Sequence, residues 1–327
     1  MKIFKNASIL VTGGTGTFGK AFIKFLLKKK FSFSKIIIFS RDEFKQYKLS
    51  QELNSSKLRF WIGDIRDKER LEFALKNVDF IVHAAALKQV PAAEYNPMEF
   101  IKTNVVGAQN LIECSLKTNV KALVALSTDK ACSPINLYGA TKLCSDKLFI
   151  SANKLAGSSK KRFSVVRYGN VLGSRGSVLS KFLDIKKKNK PFPITDFRMT
   201  RFNILLDEAI EMVLWSLVNS KGGEILVPKL KSYNIIDFAK AIDDKIKHVQ
   251  VGLREGEKIH EEMISEADSY YTYEYGKYFA IIPDYIKEIN FKNKSLKKIK
   301  KIGQSYNSNL NKKLSVKEIR KVIKSIS

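Results

Sequence analysis

Through the first half of the chain, short apolar runs alternate with segments of helical spacing, and no other feature limits the possible folds so tightly. The runs are ASILVTGG (7–14), KIIIFS (35–40), LRFWIGD (58–64), VDFIVHAAA (78–86), KALVALST (121–128) and RFSVVRYGN (162–170). Nearly continuous apolar stretches of this length suit strands covered on both faces. Strands separated by helices pair in parallel through crossovers. The expectation is therefore an α/β fold, a Rossmann-type doubly wound parallel sheet whose ligands gather beyond the carboxyl ends of its strands. After about Tyr168 the spacing loosens through KPFPITDFRMTRFN (190–203), which predicts a smaller C-terminal α/β substrate-binding lobe. The boundaries expected are 1–168 for the dinucleotide-binding domain, with a return segment near 205–240, and 169–204 with 241–327 for the smaller lobe.

The first strand runs into VTGGTGTFGK (11–20), which puts Gly13, Gly16 and Gly19 between a strand and a helix. Glycines there permit a tight turn and close backbone approach to a pyrophosphate, at a helix end whose dipole favours anions. At the end of the second strand an NAD site normally offers a carboxylate to the ribose hydroxyls. Here Ser40 and Arg41 stand there with Lys45 close behind, which suits a 2′-phosphate and favours NADP, while Asp42 keeps NAD open. Asp64 and Ile65, in GDIRD (63–67), suit an adenine and equally suit a strand-ending turn.

The segment ALSTDKACSPINLYGATK (125–142) concentrates titratable groups. Tyr138 and Lys142 stand four apart and so share a helical face, where a cation beside a phenol favours phenolate. A phenolate near neutrality is the base that an alcohol needs to lose its proton as hydride leaves. Asp129 and Lys130 lie just ahead, at the end of the fifth strand.

Charge and composition exclude other classes. The net charge of +27 raises nucleic acid or an anionic membrane surface, but the lysines are scattered in small clusters, KKK (28–30), SKKR (159–162), KKKNK (186–190) and SLKKIKK (295–301), without interleaved aromatics. They read as a solvated surface, with no specific nucleic acid and no membrane partner. The N-terminal segment lacks an apolar signal core and no run is long enough to span a bilayer, so a cytoplasmic protein is expected. Cys114, Cys132 and Cys144 form no CxxC pair, and no histidine spacing suggests a metal. His83 reads as a core or cofactor-facing residue and His260 as a structural histidine on a helix.

The segments TGGTGTFG, SRDE, AAALKQVP, STDKACSPINLYGATK, VVRYGNVLGSRGSV, ITDFRMTRF and GEKIHEEM together resemble the extended short-chain dehydrogenase/reductase family. More narrowly they resemble its inverting UDP-N-acetylglucosamine 4,6-dehydratases, which open pseudaminic acid biosynthesis; lysine in STDKA marks that branch. The resemblance implies oxidation at C4, loss of water across C5 and C6, and return of the electrons to C6 within each turnover. It implies Tyr138 as the base at the C4 hydroxyl, assisted by Lys142, with Thr128 on the C4 oxygen, Lys130 exchanging the C5 proton and Asp129 protonating the departing C6 hydroxyl. The sequence leaves the split between Asp129 and Lys130 open.

The same resemblance extends the cofactor surface to Thr15, Thr17, Phe18, Ala84 and Ala85. It offers Lys88, Asn170, Arg175, Thr195, Arg198, Arg201, Arg254 and Glu257 to the nucleotide sugar, the arginines because a planar fork grips phosphate oxygens in pairs. It also implies a homo-oligomer. Three departures stand out: Gln89 replaces a usual histidine, Asn203 a usual aromatic, and Phe197 fills a variable place. A retaining dehydratase, an epimerase of the same fold, and a catalytically idle NADP-binding regulator attached to nucleic acid are the alternatives.

Overall fold

Each of the six apolar runs forms a strand of one sheet. The computed structural model describes residues 2–29, 31–157, 159–173, 177–291 and 296–326. The strands are β1 (Ser8–Thr12), β2 (Lys35–Ser40), β3 (Leu58–Ile62), β4 (Phe80–His83), β5 (Ala122–Thr128) and β6 (Arg162–Tyr168). They pair in parallel in the order β3-β2-β1-β4-β5-β6. Every residue of β1 and β4 is buried, as a sheet covered on both faces requires. The order reverses between β1 and β4, and this switch point opens a crevice beyond the strand ends.

The remaining strands are short: β7 (Asn170–Val171), β8 (Phe192–Ile194), β9 (Thr200–Ile204), β10 (Ile225–Pro228), β11 (Ser232–Asn234), β12 (His248–Gln250), β13 (Glu262–Ile264), β14 (Thr272–Tyr275), β15 (Tyr278–Ile281), β16 (Lys297–Lys298) and β17 (Tyr306–Asn307). After the helix Leu206–Asn219 the chain returns to the main sheet, where β10 lies parallel to β6. The hairpin β14–β15 then extends that sheet antiparallel, with β16 at its edge. Strands β14, β15 and β16, expected in the smaller lobe, therefore hydrogen-bond into the nucleotide-side sheet. The turn between β14 and β15 passes through Gly276 at φ +59°, a conformation that costs glycine little.

A separate apolar cluster holds the smaller lobe together, with Leu172, Phe182, Phe192, Ile194, Tyr233, Phe238 and Ile319 at its centre. The helix Val316–Lys324 closes it, started by a capping box in which Ser315 and Glu318 satisfy each other's backbone amides. No helix among the described residues is long and apolar enough to cross a membrane.

Candidate active site

The glycine turn after β1 has the shape of a phosphate cradle. Gly13 adopts φ +66°, and a Cβ there would stand 2.8 Å from the Ala85 nitrogen and 2.9 Å from the Ala84 carbonyl oxygen. Only glycine lets the turn approach the end of β4 so closely. Gly13 N–H donates to the Phe39 carbonyl at 2.9 Å and Gly16 N–H to the Gly13 carbonyl at 2.9 Å. Gly16 precedes the helix Thr17–Lys28 with no side-chain cap, which leaves the first-turn amides for an anion. Thr15 and Phe18 are half-buried and Thr17 exposed at this end. The bare helix start and the Cβ-free turn fit a dinucleotide pyrophosphate. His83 is buried, bonded through Nδ1 to Thr12 Oγ1 at 2.8 Å. Burial first, then the Lys142 charge, push its imidazole down to about 3, so it ties β1 to β4 as a neutral ring.

At the adenosine end, Ser40 is held by Gln46, whose side-chain amide donates to its Oγ at 3.0 Å and its carbonyl at 2.9 Å. Asp42 caps the helix Glu43–Leu53 by accepting from Lys45 N–H at 2.9 Å, and Lys45 Nζ folds back onto the same carboxylate at 2.5 Å. Arg41 is exposed, 3.7 Å from Asp64. Burial would raise Asp64, but hydrogen bonds from Arg66 and the charges of Arg66 and Arg41 hold it below the usual range. Ile65 is buried against Gly107.

At the end of β5 the chain turns through a short 3-10 segment, Asp129–Ala131. Thr128 Oγ1 donates to Asp129 Oδ1 at 3.0 Å, and Lys130 Nζ donates to the same oxygen at 3.0 Å. The helix Leu137–Leu155, capped by Asn136, brings Tyr138 and Lys142 to this turn, both buried. It can dock because Gly139 faces the Lys130 carbonyl, which a Cβ would overlap. Tyr138 packs with Ala93 and Phe100. Burial pushes its phenol up to about 12, opposed by the Lys130 charge and a hydrogen bond with Thr128. The leading cation acting on Tyr138 is thus Lys130, whereas the pairing four residues apart on the helix had pointed to Lys142. Burial lowers Lys142, countered by Asp146. Asp146 is itself anchored by Ser127 Oγ at 2.7 Å and the buried Arg167 at 3.2 Å.

The sequence reading missed one group at this point. Glu261 is buried, its Oε1 lying 3.4 Å from Lys130 Nζ and 3.8 Å from Arg201 Nε. Burial raises Asp129, partly offset by Lys130 and reinforced by Glu261. Lys130 runs the other way: burial lowers it, but Asp129 and Glu261 outweigh burial and raise it above its ordinary value.

The other predicted residues differ in exposure and partners. Lys88, Asn170, Arg198 and Arg254 are exposed and Thr195 is half-buried. Lys88 follows Leu87, whose backbone is clamped by the buried Asn104 through two hydrogen bonds of 2.9 Å. Arg198 folds onto Asp196, with bonds of 3.0 and 2.7 Å. Arg201 is turned inward: it donates to the carbonyls of Thr200 and Ile259 at 2.8 Å and of Lys258 at 2.9 Å, and lies 3.5 Å from Glu257. Arg175 lies outside the described residues. The structure corrects the expected place of His260: it sits in an isolated bridge to Thr200, its Nδ1 2.8 Å from Thr200 Oγ1, and in no helix. The pull of the β9 edge overrides the helical reading of KIHEEM. Among the described residues no cluster of side chains is arranged to hold a metal.

Comparison with known proteins follows the same lines. Residues 9–283 match the family model described as polysaccharide biosynthesis protein. The chain is 54% identical over 282 residues to a UDP-N-acetylglucosamine 4,6-dehydratase (inverting) of Campylobacter jejuni, covering 86% of this chain and 84% of that one. It is 37% identical to a UDP-glucose 4-epimerase of Rickettsia bellii, covering 98% and 96%. The crystal structure of Pen from Bacillus thuringiensis superimposes with a TM-score of 0.90 at 35% identity, covering 99% and 98%.

Proposed function

The chain belongs to the polysaccharide biosynthesis protein family, within the extended short-chain dehydrogenases/reductases, and from that premise we propose that it dehydrates UDP-N-acetylglucosamine across C5 and C6 with inversion at C5. The product is a UDP-2-acetamido-2,6-dideoxy-4-hexulose. The observation that carries this reading is the meeting of Asp129, Lys130 and Tyr138 at the end of β5, with the Lys130 ammonium held on the Asp129 carboxylate at 3.0 Å. An epimerase needs one acid–base group at C4, whereas elimination needs two more at C5 and C6.

A bound nicotinamide dinucleotide supplies the two-electron acceptor, and its pyrophosphate would lie on the turn Gly13–Gly19. We assign it as NADP: Asp42 is engaged in capping and with Lys45, while Arg41 is exposed beside the crevice. Tyr138 takes the C4 hydroxyl proton while Thr128 hydrogen-bonds the C4 oxygen, and Lys142 would hold the nicotinamide-side ribose. The C4 ketone acidifies C5–H, because the carbanion delocalises into an enolate. Lys130 and Asp129 then remove the C5 proton and protonate the leaving C6 hydroxyl, each proton transfer worth on the order of 10²- to 10⁴-fold. Arg198, Arg254, Lys88, Asn170, Thr195 and Glu257 would bind the diphosphate and sugar, and Arg201 would order the loop that presents them. Residues 1–168, with the strands from 225–298 that join the same sheet, form the dinucleotide-binding unit; 169–204 and the rest of the C-terminal part form the substrate lobe. We further place the protein in the cytoplasm as a homo-oligomer, its product feeding pseudaminic acid-type sugars.

The test is incubation of the purified protein with UDP-N-acetylglucosamine and no added coenzyme. The expected result is loss of one water by mass and a new methyl doublet by proton NMR. Retention of the C6 hydroxymethyl group with inversion at C4 would make the protein an epimerase. Tight, salt-dependent RNA binding without turnover would make it an idle regulator.

A further inference from the structure

We propose that Glu261 is a positioning residue of this reaction, a second buried carboxylate that holds the Lys130 ammonium jointly with Asp129 and sets the charge field in which both β5-turn groups exchange protons. The inference rests on the dehydratase reading above.

Geometry carries it. Lys130 Nζ lies 3.0 Å from Asp129 Oδ1 and 3.4 Å from Glu261 Oε1, and both carboxylates are buried, at 0% and 2% exposure. The Glu261 backbone is pinned by Ser308, which accepts from its N–H at 2.9 Å through Oγ and donates to its carbonyl at 2.8 Å. The side chain therefore enters from a fixed strand end, not from a mobile loop. Asp129 Oδ2 and Glu261 Oε2 each lack a hydrogen-bond partner in the structure. Buried carboxylate oxygens are costly to leave unpaired; two of them beside one ammonium mark acceptor positions that a substrate hydroxyl can fill.

The charges around Glu261 alternate. From the β5 turn come Asp129 and Lys130; from β9, Arg201, with its Nε 3.8 Å from Glu261 Oε1; and from the approach to β13, Lys258 and Glu257. Tyr138 and Tyr233 face the same cluster from the helix Leu137–Leu155 and from β11. Burial would raise Glu261, but Lys130, Arg201 and Lys258 together hold it below the usual carboxylate range. It is the fixed anion of the group, beside which Asp129 and Lys130 exchange protons with the sugar. Its negative charge raises both partners, which favours the acid form of Asp129 and the ammonium form of Lys130.

Glu261→Gln keeps the shape and removes the charge. The sign follows directly: without the anion both partners titrate lower, so activity that needs protonated Asp129 is lost at lower pH, and activity that needs neutral Lys130 is gained at lower pH. The expected result is a kcat reduced by about tenfold or more, a KM within about twofold of wild type, and both limbs of the kcat profile displaced to acid by about half a unit or more. Glu261→Asp, which retains the charge, should move the profile back toward wild type. A Gln variant whose pH profile superimposes on the wild type, or whose loss is confined to KM, overturns the proposal. A second measurement needs neither variant nor turnover: side-chain carboxyl carbon-13 NMR of the wild-type protein titrated with acid. Glu261 should remain ionised through the range in which Asp129 takes up its proton, and the reverse order overturns the proposal. If that order holds while the wild type leaves UDP-N-acetylglucosamine unchanged, the dehydratase reading fails and the assignment of Glu261 as the fixed anion stands.

Discussion

At the scale of single residues, the site depends on burial working against charge. Tyr138 is pushed up to about 12 by burial and drawn back by Lys130 and Thr128, so the base role proposed for it would depend on cationic neighbours. Tyr138→Phe removes the proton acceptor and leaves the apolar contacts with Ala93 and Phe100 in place. In a single turnover the absorbance of reduced nicotinamide should then fail to rise; an undiminished rise would take the base role from Tyr138. Lys130→Ala should retain bound nicotinamide, lose product by about 10²-fold or more, and lose solvent deuterium exchange at C5. Exchange at the wild-type rate would assign the C5 proton to another group. Residue proximity was the most legible level here: STDKA and YGATK predict titratable groups side by side, and the structure brings Asp129, Lys130 and Tyr138 to one turn. Glu261 was illegible, since nothing in GEKIHEEM says which glutamate turns inward. Ser308, far along the chain, decides that.

At the scale of elements, the site is the docking of one helix against one turn. The helix Leu137–Leu155 approaches the Asp129–Ala131 turn at Gly139, and on the other side Gly169 lies against Asp129 and the Phe202 carbonyl. Gly139→Ala should push the helix away from the Lys130 carbonyl, at a stability cost of about 1–3 kcal/mol. Because a displacement near 1 Å can cost on the order of 10²-fold in rate, kcat should fall while the dinucleotide stays bound. Thermal melting and kcat measured together check this; a variant melting and turning over like wild type would mean that the helix does not set the geometry. Elements were legible in proportion to their burial. β1, β2, β4, β5 and β6 read as apolar runs because most of their residues are buried, and β3, at the sheet edge, is only partly covered, whereas β7, β8, β12 and β16 are two or three residues long and carry no period. Residues 241–327 are expected in the smaller lobe, yet the hairpin β14–β15 pairs with β10 of the main sheet, since a sequence does not show which sheet edge a late hairpin meets.

At the scale of the whole molecule, the two lobes must complete a closed redox cycle: the dinucleotide cradle belongs to the main sheet, while β9, β11 and the segment before β13 contribute Arg201, Tyr233 and Glu261 to the same turn. An open-ended dehydrogenase would consume coenzyme in proportion to product. A protein that returns the electrons to the same sugar needs none, provided the substrate stays bound from C4 oxidation to C6 reduction. UDP-N-acetylglucosamine carrying deuterium at C4 distinguishes the two cases. The label should appear in the newly formed methyl group of the product, one deuteron per molecule, with none in the medium. In deuterated water and with unlabelled sugar, C5 alone should exchange through Lys130 and Asp129, with one further solvent deuteron delivered to the departing hydroxyl and lost with it. Label released to water, or absent from the methyl group, would mean that oxidation at C4 and reduction at C6 are separate events, and that the lobes do not enclose one uninterrupted turnover.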